Sequence, residues 1–386
     1  MTRRGAAVDQ RAHRGPAPRS RVRRGALLLL ALAVNLAAME LAARWWVGDA
    51  ERVAQLRTGF AEAPWRLAWV QRRESGGGTV AYPIDSLHPT RGWTLTPDLR
   101  DVETSGTLVS SNSRGARGVR EHAIPKPPGT ARVLVFGDSF SFGEEVGDDE
   151  TFSAGVERRL PGADVVNLAV HGWAHDQMLI RLREEAAAYE PDVVLLGYAP
   201  WDDERNLLSF RDYAKPRFAL VDGRLELRGV PVATPDEVLA REPWRSKLLD
   251  LAGLALRRLR WRHGDLKDER REITDALLTA FAGSARDAGA RPVFVYLPTN
   301  EDVASGSPSA REQEVAALCR AQGIPFVSLR ERLHRSVPAS PPDRTSHWSA
   351  QEHEVAADEI ADFLRRERLL APRDASGRGA VAPAAP

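Results

Sequence analysis

From residue 131 onward, short β-branched or aromatic runs alternate with segments of helical periodicity. That alternation restricts the chain to an α/β fold, with a mainly parallel sheet covered by helices on both faces. The predicted strands are 132–136, 164–168, 193–197, 292–297 and 325–329. The predicted helices between and after them are 150–160, 174–189, 271–289, 308–322 and 349–368. A long insertion, 207–270, separates the third and fourth strands. It contains a predicted hairpin over 218–227, turned by Asp222-Gly223, and a basic helix carrying Leu248, Leu249, Leu251, Leu254 and Leu256. An insertion of this size is expected to serve as a lid or a substrate-binding lobe.

The first strand, Val133-Leu134-Val135-Phe136, runs into Gly137-Asp138-Ser139-Phe140. This puts a hydroxyl at the carboxyl end of a parallel strand, where open α/β sheets hold their ligands and catalytic groups. Asp and Ser after a strand can also simply cap the next helix. Near the other end of the chain stands Asp343-Arg344-Thr345-Ser346-His347-Trp348. A serine needs an adjacent base, and the base needs orienting. Ser139 is therefore the candidate nucleophile, His347 its base and Asp343 the group that orients the imidazole.

Composition narrows the field. The 54 Lys and Arg balance 53 Asp and Glu to a net charge of +1, so no strong field points to nucleic acid. A single cysteine, Cys319, excludes an intramolecular disulfide and any multi-cysteine metal site. His171, His175 and Asp176 lack the helical spacing of a zinc-protease motif, and neither metal nor cofactor is expected.

Charge is concentrated at the amino terminus, where Arg3, Arg4, Arg11, Arg14, Arg19, Arg21, Arg23 and Arg24 precede an apolar run. From Ala26 to Val47 that run matches the length needed to cross a hydrocarbon core of roughly 30 Å. The arginines hold the amino terminus in the cytoplasm and direct the rest outside, with Trp45 and Trp46 at the far interface. A cleaved signal peptide, with small residues near Ala37-Ala38, and a buried helix behind a basic tail are the competing readings. The chain divides into a basic disordered tail (1–24), a signal anchor (25–47) and a stalk (48–78). A lead-in lobe (79–130), the main domain (131–368) and a disordered tail (371–386) follow.

Residues 133–143, from Val133 through Gly137-Asp138-Ser139 to Gly143, resemble the first block of the SGNH or GDSL hydrolases. His347-Trp348-Ser349-Ala350 and the helix after it are similar to the last block, and Asn167-Leu168-Ala169-Val170-His171-Gly172 to the second. Ser110–Gly118 and His88–Trp93 resemble the lead-in of a membrane-anchored subgroup. The resemblance implies a flavodoxin-like SGNH fold, a Ser-His-Asp esterase mechanism, and an oxyanion hole built from the Ser139 and Gly172 amides and an Asn side chain. The third block departs: Trp201-Asp202-Asp203-Glu204-Arg205-Asn206 stands where the subgroup shows Asn-Asp and a later Asn. Matching Asn206 to that later Asn puts Trp201 at the oxyanion position, where an indole does not replace a carboxamide. Asp343 also stands one residue farther from His347 than the block requires.

The expectation is a single-pass protein with an extracytoplasmic ester hydrolase domain, acting on acyl groups of a cell-surface glycan or lipid. O-acyl transfer to a polysaccharide, and a non-catalytic binding or assembly role on the same fold, are the alternatives.

Overall fold

The structure is a computed structural model and describes residues 18–78, 80–337 and 347–370. Most of the basic tail and the segment beyond Leu370 lie outside the described residues. Helix α1 (Pro18–Val47) begins within the stretch expected to be disordered, and from Val22 to Val47 it is long and apolar enough to cross a membrane. Residues 48–78, expected from sequence to be a stalk, form α2 (Ala50–Leu56) and α3 (Ala63–Glu74). Residues 79–130, expected as a lead-in lobe, contain two antiparallel hairpins, β1 (Asp85–His88) with β2 (Gly92–Leu95) and β3 (Val102–Thr104) with β4 (Thr107–Val109).

The main domain follows as β5 (Ala131–Phe136), α4 (Ser139–Phe142), α5 (Phe152–Arg159), β6 (Ala163–Asn167), α6 (His175–Tyr189) and β7 (Val193–Tyr198). Next come α7 (Asp202–Arg205), the hairpin β8 (Arg217–Val221) and β9 (Arg224–Arg228), α8 (Pro235–Arg241) and α9 (Lys247–His263). The chain continues with α10 (Asp265–Asp287), β10 (Arg291–Tyr296), α11 (Asn300–Ser305), α12 (Ala310–Ala321) and β11 (Phe326–Ser328). Helices α13 (Arg330–Ser336) and α14 (Ala350–Arg366) close it.

The five main strands pair in parallel in the order β11-β10-β7-β5-β6. Numbered among themselves, these strands have the order of flavodoxin-like doubly wound sheets, whose crevice opens between the first and third strands. Those strands are β5, which ends three residues before Ser139, and β7, which ends three residues before Trp201. The α/β class and the five strands expected from sequence are therefore present.

Alternation along each strand divides the core. Leu134, Phe136, Val194, Leu196, Phe294 and Tyr296 pack under α6 and α10, while Val133, Val135, Val193, Leu195, Val293 and Val295 face α5 and α14. Each such burial contributes about 1.5–3 kcal/mol. In the insertion, β8 packs against α6 and α10, and α9 packs against α1 and α3.

Close packing at the strand ends fixes the start of α4. A Cβ on Gly197 would lie 2.0 Å from Ser141 Oγ, with the next atom 3.2 Å away. Gly197→Ala is expected to cost about 1–3 kcal/mol by overpacking. Ser141→Ala removes the obstructing oxygen, so in thermal unfolding the double variant should regain most of that loss.

Helix α14 is held by His353, whose Nδ1 accepts from Phe152 N at 3.1 Å. Burial pushes His353 down to about 3, helped by the positive charge of Arg117. His175 is likewise buried and pushed down to about 3. Both rings are neutral in the fold but charge near pH 6.5 when unfolded, so the unfolded chain binds more protons in acid. Stability should fall as pH drops from about 6.5 toward 3, by about 1.4 kcal/mol per pH unit for each ring. Denaturant midpoints across that range test the sign, and His353→Gln should flatten the slope.

Candidate active site

Strand β5 delivers Asp138 and Ser139 to the crevice. Asp138 is fully buried and caps α4, its Oδ1 accepting from Phe140 N at 3.0 Å. Ser139 is the first residue of that helix, so its amide has no intrahelical acceptor. After a single turn the chain reverses at Gly143 (φ 83°), where the amides of Gly143 and Glu144 both donate to Ser139 O. Glu145 follows in the left-handed region (φ 72°), an uncommon conformation for a residue with a side chain.

That reversal brings Glu144 and Glu145 up to His347. Ser139 Oγ lies 2.9 Å from His347 Nε2, within hydrogen-bond range. His347 Nδ1 lies 3.2 Å from Glu145 Oε1, and Glu144 Oε2 is 3.6 Å from Nε2. The histidine enters on the segment before α14, which a capping box anchors: Ser349 N donates to Glu352 Oε2 at 2.7 Å, and Glu352 N donates back to Ser349 Oγ. Asp343, the expected orienting group, lies outside the described residues. The structure thus brings Ser139 and His347 together across the length of the domain, and adds two glutamates that sequence reasoning had missed. Only their position directly after the Ser139 block could have drawn attention to them.

An aromatic cluster adjoins the pair. The Phe140 ring lies 4.9 Å from the His347 ring, 4.7 Å from Trp201 and 5.4 Å from Trp348.

The third-block candidates are engaged elsewhere. Trp201 Nε1, its single donor, donates to Asp138 Oδ2 at 2.7 Å, so the indole secures the residue before Ser139. Asn206 Nδ2 donates to His175 Nδ1 at 3.1 Å and to Thr274 Oγ1 at 2.9 Å, deep between α6 and α10. Asp202 is fully buried and pairs with Arg205, whose guanidinium also lies 3.4 Å from Asp138 Oδ2. Burial, followed by the charge of Asp138, pushes the Asp202 carboxyl well above its ordinary range. Neither Trp201 nor Asn206 therefore has a donor directed at Ser139.

Gly172 lies buried in the loop after β6 at φ 72°, and its carbonyl accepts from Arg211. A Cβ there would meet Arg211 Nη1 at 2.5 Å. The neighbouring groups diverge: His171 pairs with Asp85 at 2.6 Å, His175 with Asn206, and Asp176 with the buried Lys215. A cavity of about 540 Å³ lies between Trp69, Pro89, Phe210, Tyr213, Val232 and Val238, away from the residues around Ser139.

No family model matches the chain, and no curated protein matches it. Among solved structures the chain is similar to TesA, at 16% identity over 61% of this chain and 98% of that one, with a TM-score of 0.37. It is also similar to a member of the lipolytic protein G-D-S-L family from Veillonella parvula DSM 2008, at 10% identity over 61% and 100% of the two chains and a TM-score of 0.34. A third is the psychrotrophic esterase EstA from Pseudoalteromonas sp., at 13% identity over 61% and 98% and a TM-score of 0.36. At such identities and TM-scores, any chemistry has to be argued from this chain's own side chains.

Proposed function

We propose that the protein is a serine ester hydrolase of the SGNH type, anchored by α1, with its α/β domain outside the cytoplasm. The observation that carries this reading is the 2.9 Å approach of His347 Nε2 to Ser139 Oγ at the carboxyl end of β5. In the proposed reaction Ser139 Oγ attacks the ester carbonyl while His347 takes its proton. His347 then protonates the departing alcohol, and water releases the acyl group by the same steps. The amides of Ser139 and Gly172 supply the oxyanion donors, leaving one fewer than in a three-donor site. Acyl groups on a cell-surface glycan or lipid fit an enzyme held at a membrane. The test is turnover of an activated aryl acetate by the full chain in detergent, lost in Ser139→Ala; equal turnover by both proteins would reject the assignment.

The aromatic rings of Phe140, Trp201 and Trp348 beside the pair favour a second reading, in which they limit water access and a sugar hydroxyl resolves the acyl-enzyme. Partitioning of acyl groups to added oligosaccharide separates transfer from hydrolysis.

Glu145, and Asp343 by the resemblance of the sequence, are the two candidates to orient His347. Glu145 is at 3.2 Å but its side chain is 36% exposed, and solvent weakens such a pair. Asp343→Asn is therefore expected to lower kcat by more than Glu145→Gln, by up to about 10⁴-fold where a triad carboxylate is lost. The reverse order would assign the orienting role to Glu145.

A further inference from the structure

The basic leucine-bearing helix of the insertion does not cover Ser139; it starts where the exposed part of α1 ends. Glu40 of α1 accepts from Ser246 Oγ at 2.6 Å and from the amides of Lys247 and Leu248 at 3.0 Å, which caps α9. Arg44 donates to the carbonyls of Pro243 and Arg245. Leu251 packs with Trp46, Val47, Val53 and Leu67, so the inner face of α9 is tied to the anchor and the stalk. Farther along, Trp261 stacks on Phe60 at 4.5 Å.

The opposite face has no protein partner among the described residues. Leu249, Leu256 and Leu259 are 71%, 56% and 51% exposed, with Trp244 at 89% just before the helix. Their spacing, with exposed Ala252 and Gly253 between, makes one continuous helical stripe. Beside it, a groove of about 430 Å³ has a floor of Leu56, Leu251, Leu254 and Leu259, and Arg258 and Arg262 at its lining. An apolar stripe bordered by arginines, with a tryptophan at one end, is the pattern of a helix lying in a lipid interface.

We propose that α9 is an interfacial helix seated on the anionic surface of the bilayer that α1 crosses. Its leucine stripe would enter the acyl boundary, with Arg258 and Arg262 on lipid phosphates. The inference rests on the reading of α1 as a membrane span. It commits to lipid as occupant because the stripe continues from the exposed apolar surface of α1 and its flanking charges match anionic headgroups. A helix so seated would fix the orientation of the whole domain, crevice included, relative to the membrane.

The test uses the full chain reconstituted into vesicles of phosphatidylcholine with phosphatidylglycerol. Cys319 is fully buried, so an introduced cysteine is labelled selectively. A fluorophore on Leu256→Cys should be quenched by spin-labelled lipids at least about twofold more than one on Leu108→Cys, in the exposed β3–β4 hairpin. Replacing phosphatidylglycerol with phosphatidylcholine should reduce that difference. Equal quenching at both sites, in protein that resists carbonate extraction, would overturn the inference while leaving the anchor intact. Crosslinking between Leu256→Cys copies in place of lipid quenching would also overturn it, by identifying a second chain as the occupant. Release of the unmodified chain by carbonate would instead remove the anchor reading itself.

Discussion

Ser139→Ala and His347→Ala should each lower kcat on an activated ester by about 10⁴–10⁶-fold, and the double variant should be no worse than the poorer single one. The expectation follows from their geometry: at 2.9 Å His347 Nε2 is within hydrogen-bond range of the Ser139 hydroxyl, so removing either partner disables the same proton transfer. Purely structural roles would instead give losses that add. Comparable thermal midpoints for the three variants and the parent would confirm that the loss is chemical. Multiplying losses would show that the two side chains act independently.

The second large effect concerns the oxyanion. With Trp201 donating to Asp138 and Asn206 to His175 and Thr274, two backbone amides are the donors in the proposed hole. One missing donor is worth about 10²–10³ in rate. The protein should therefore favour activated esters, whose good leaving groups need less stabilisation of the tetrahedral intermediate, over simple alkyl esters. Trp201→Asn should raise kcat/KM on alkyl esters by up to about 10²-fold, because position 201 faces the residue next to Ser139 across the crevice. Trp201→Phe separates the roles. It leaves Asp138 without its indole donor, at about 1 kcal/mol of stability, but takes no donor from the oxyanion, so activity on activated esters should persist. A large loss in Trp201→Phe would mean that the indole contributes directly to the reaction.

What could be read in advance follows the physics of each feature. The strands were legible because each is a short apolar run between breakers, and both faces of a parallel sheet are buried, as Val193–Tyr198 illustrates. The Ser139 and His347 segments were legible because an apolar run ending in Gly-Asp-Ser and the run His347-Trp348-Ser349-Ala350 before a helical pattern are local signals. The partners around them were not. Glu145 reaches His347 through a left-handed backbone turn, and Trp201 reaches Asp138 across the crevice, contacts that local propensity does not encode. The start of α1 was placed too late because Pro18 to Arg24 lack the apolar pattern used to find the helix, although an arginine-rich turn can extend one. The insertion was expected to serve as a lid or a substrate-binding lobe, yet its long helix is capped by Glu40 of α1, a partner far away in sequence that local patterns do not reveal.

The central claim is that Ser139 is a nucleophile activated by His347. It is tested most directly by treating the full chain with a fluorophosphonate and locating the adduct by mass spectrometry. The prediction is a stoichiometric phosphonyl group on Ser139, formed at least about 10²-fold more slowly in His347→Ala, since general-base help is worth 10²–10⁴. An unmodified Ser139 in folded protein, or modification at the same rate without His347, would contradict the account.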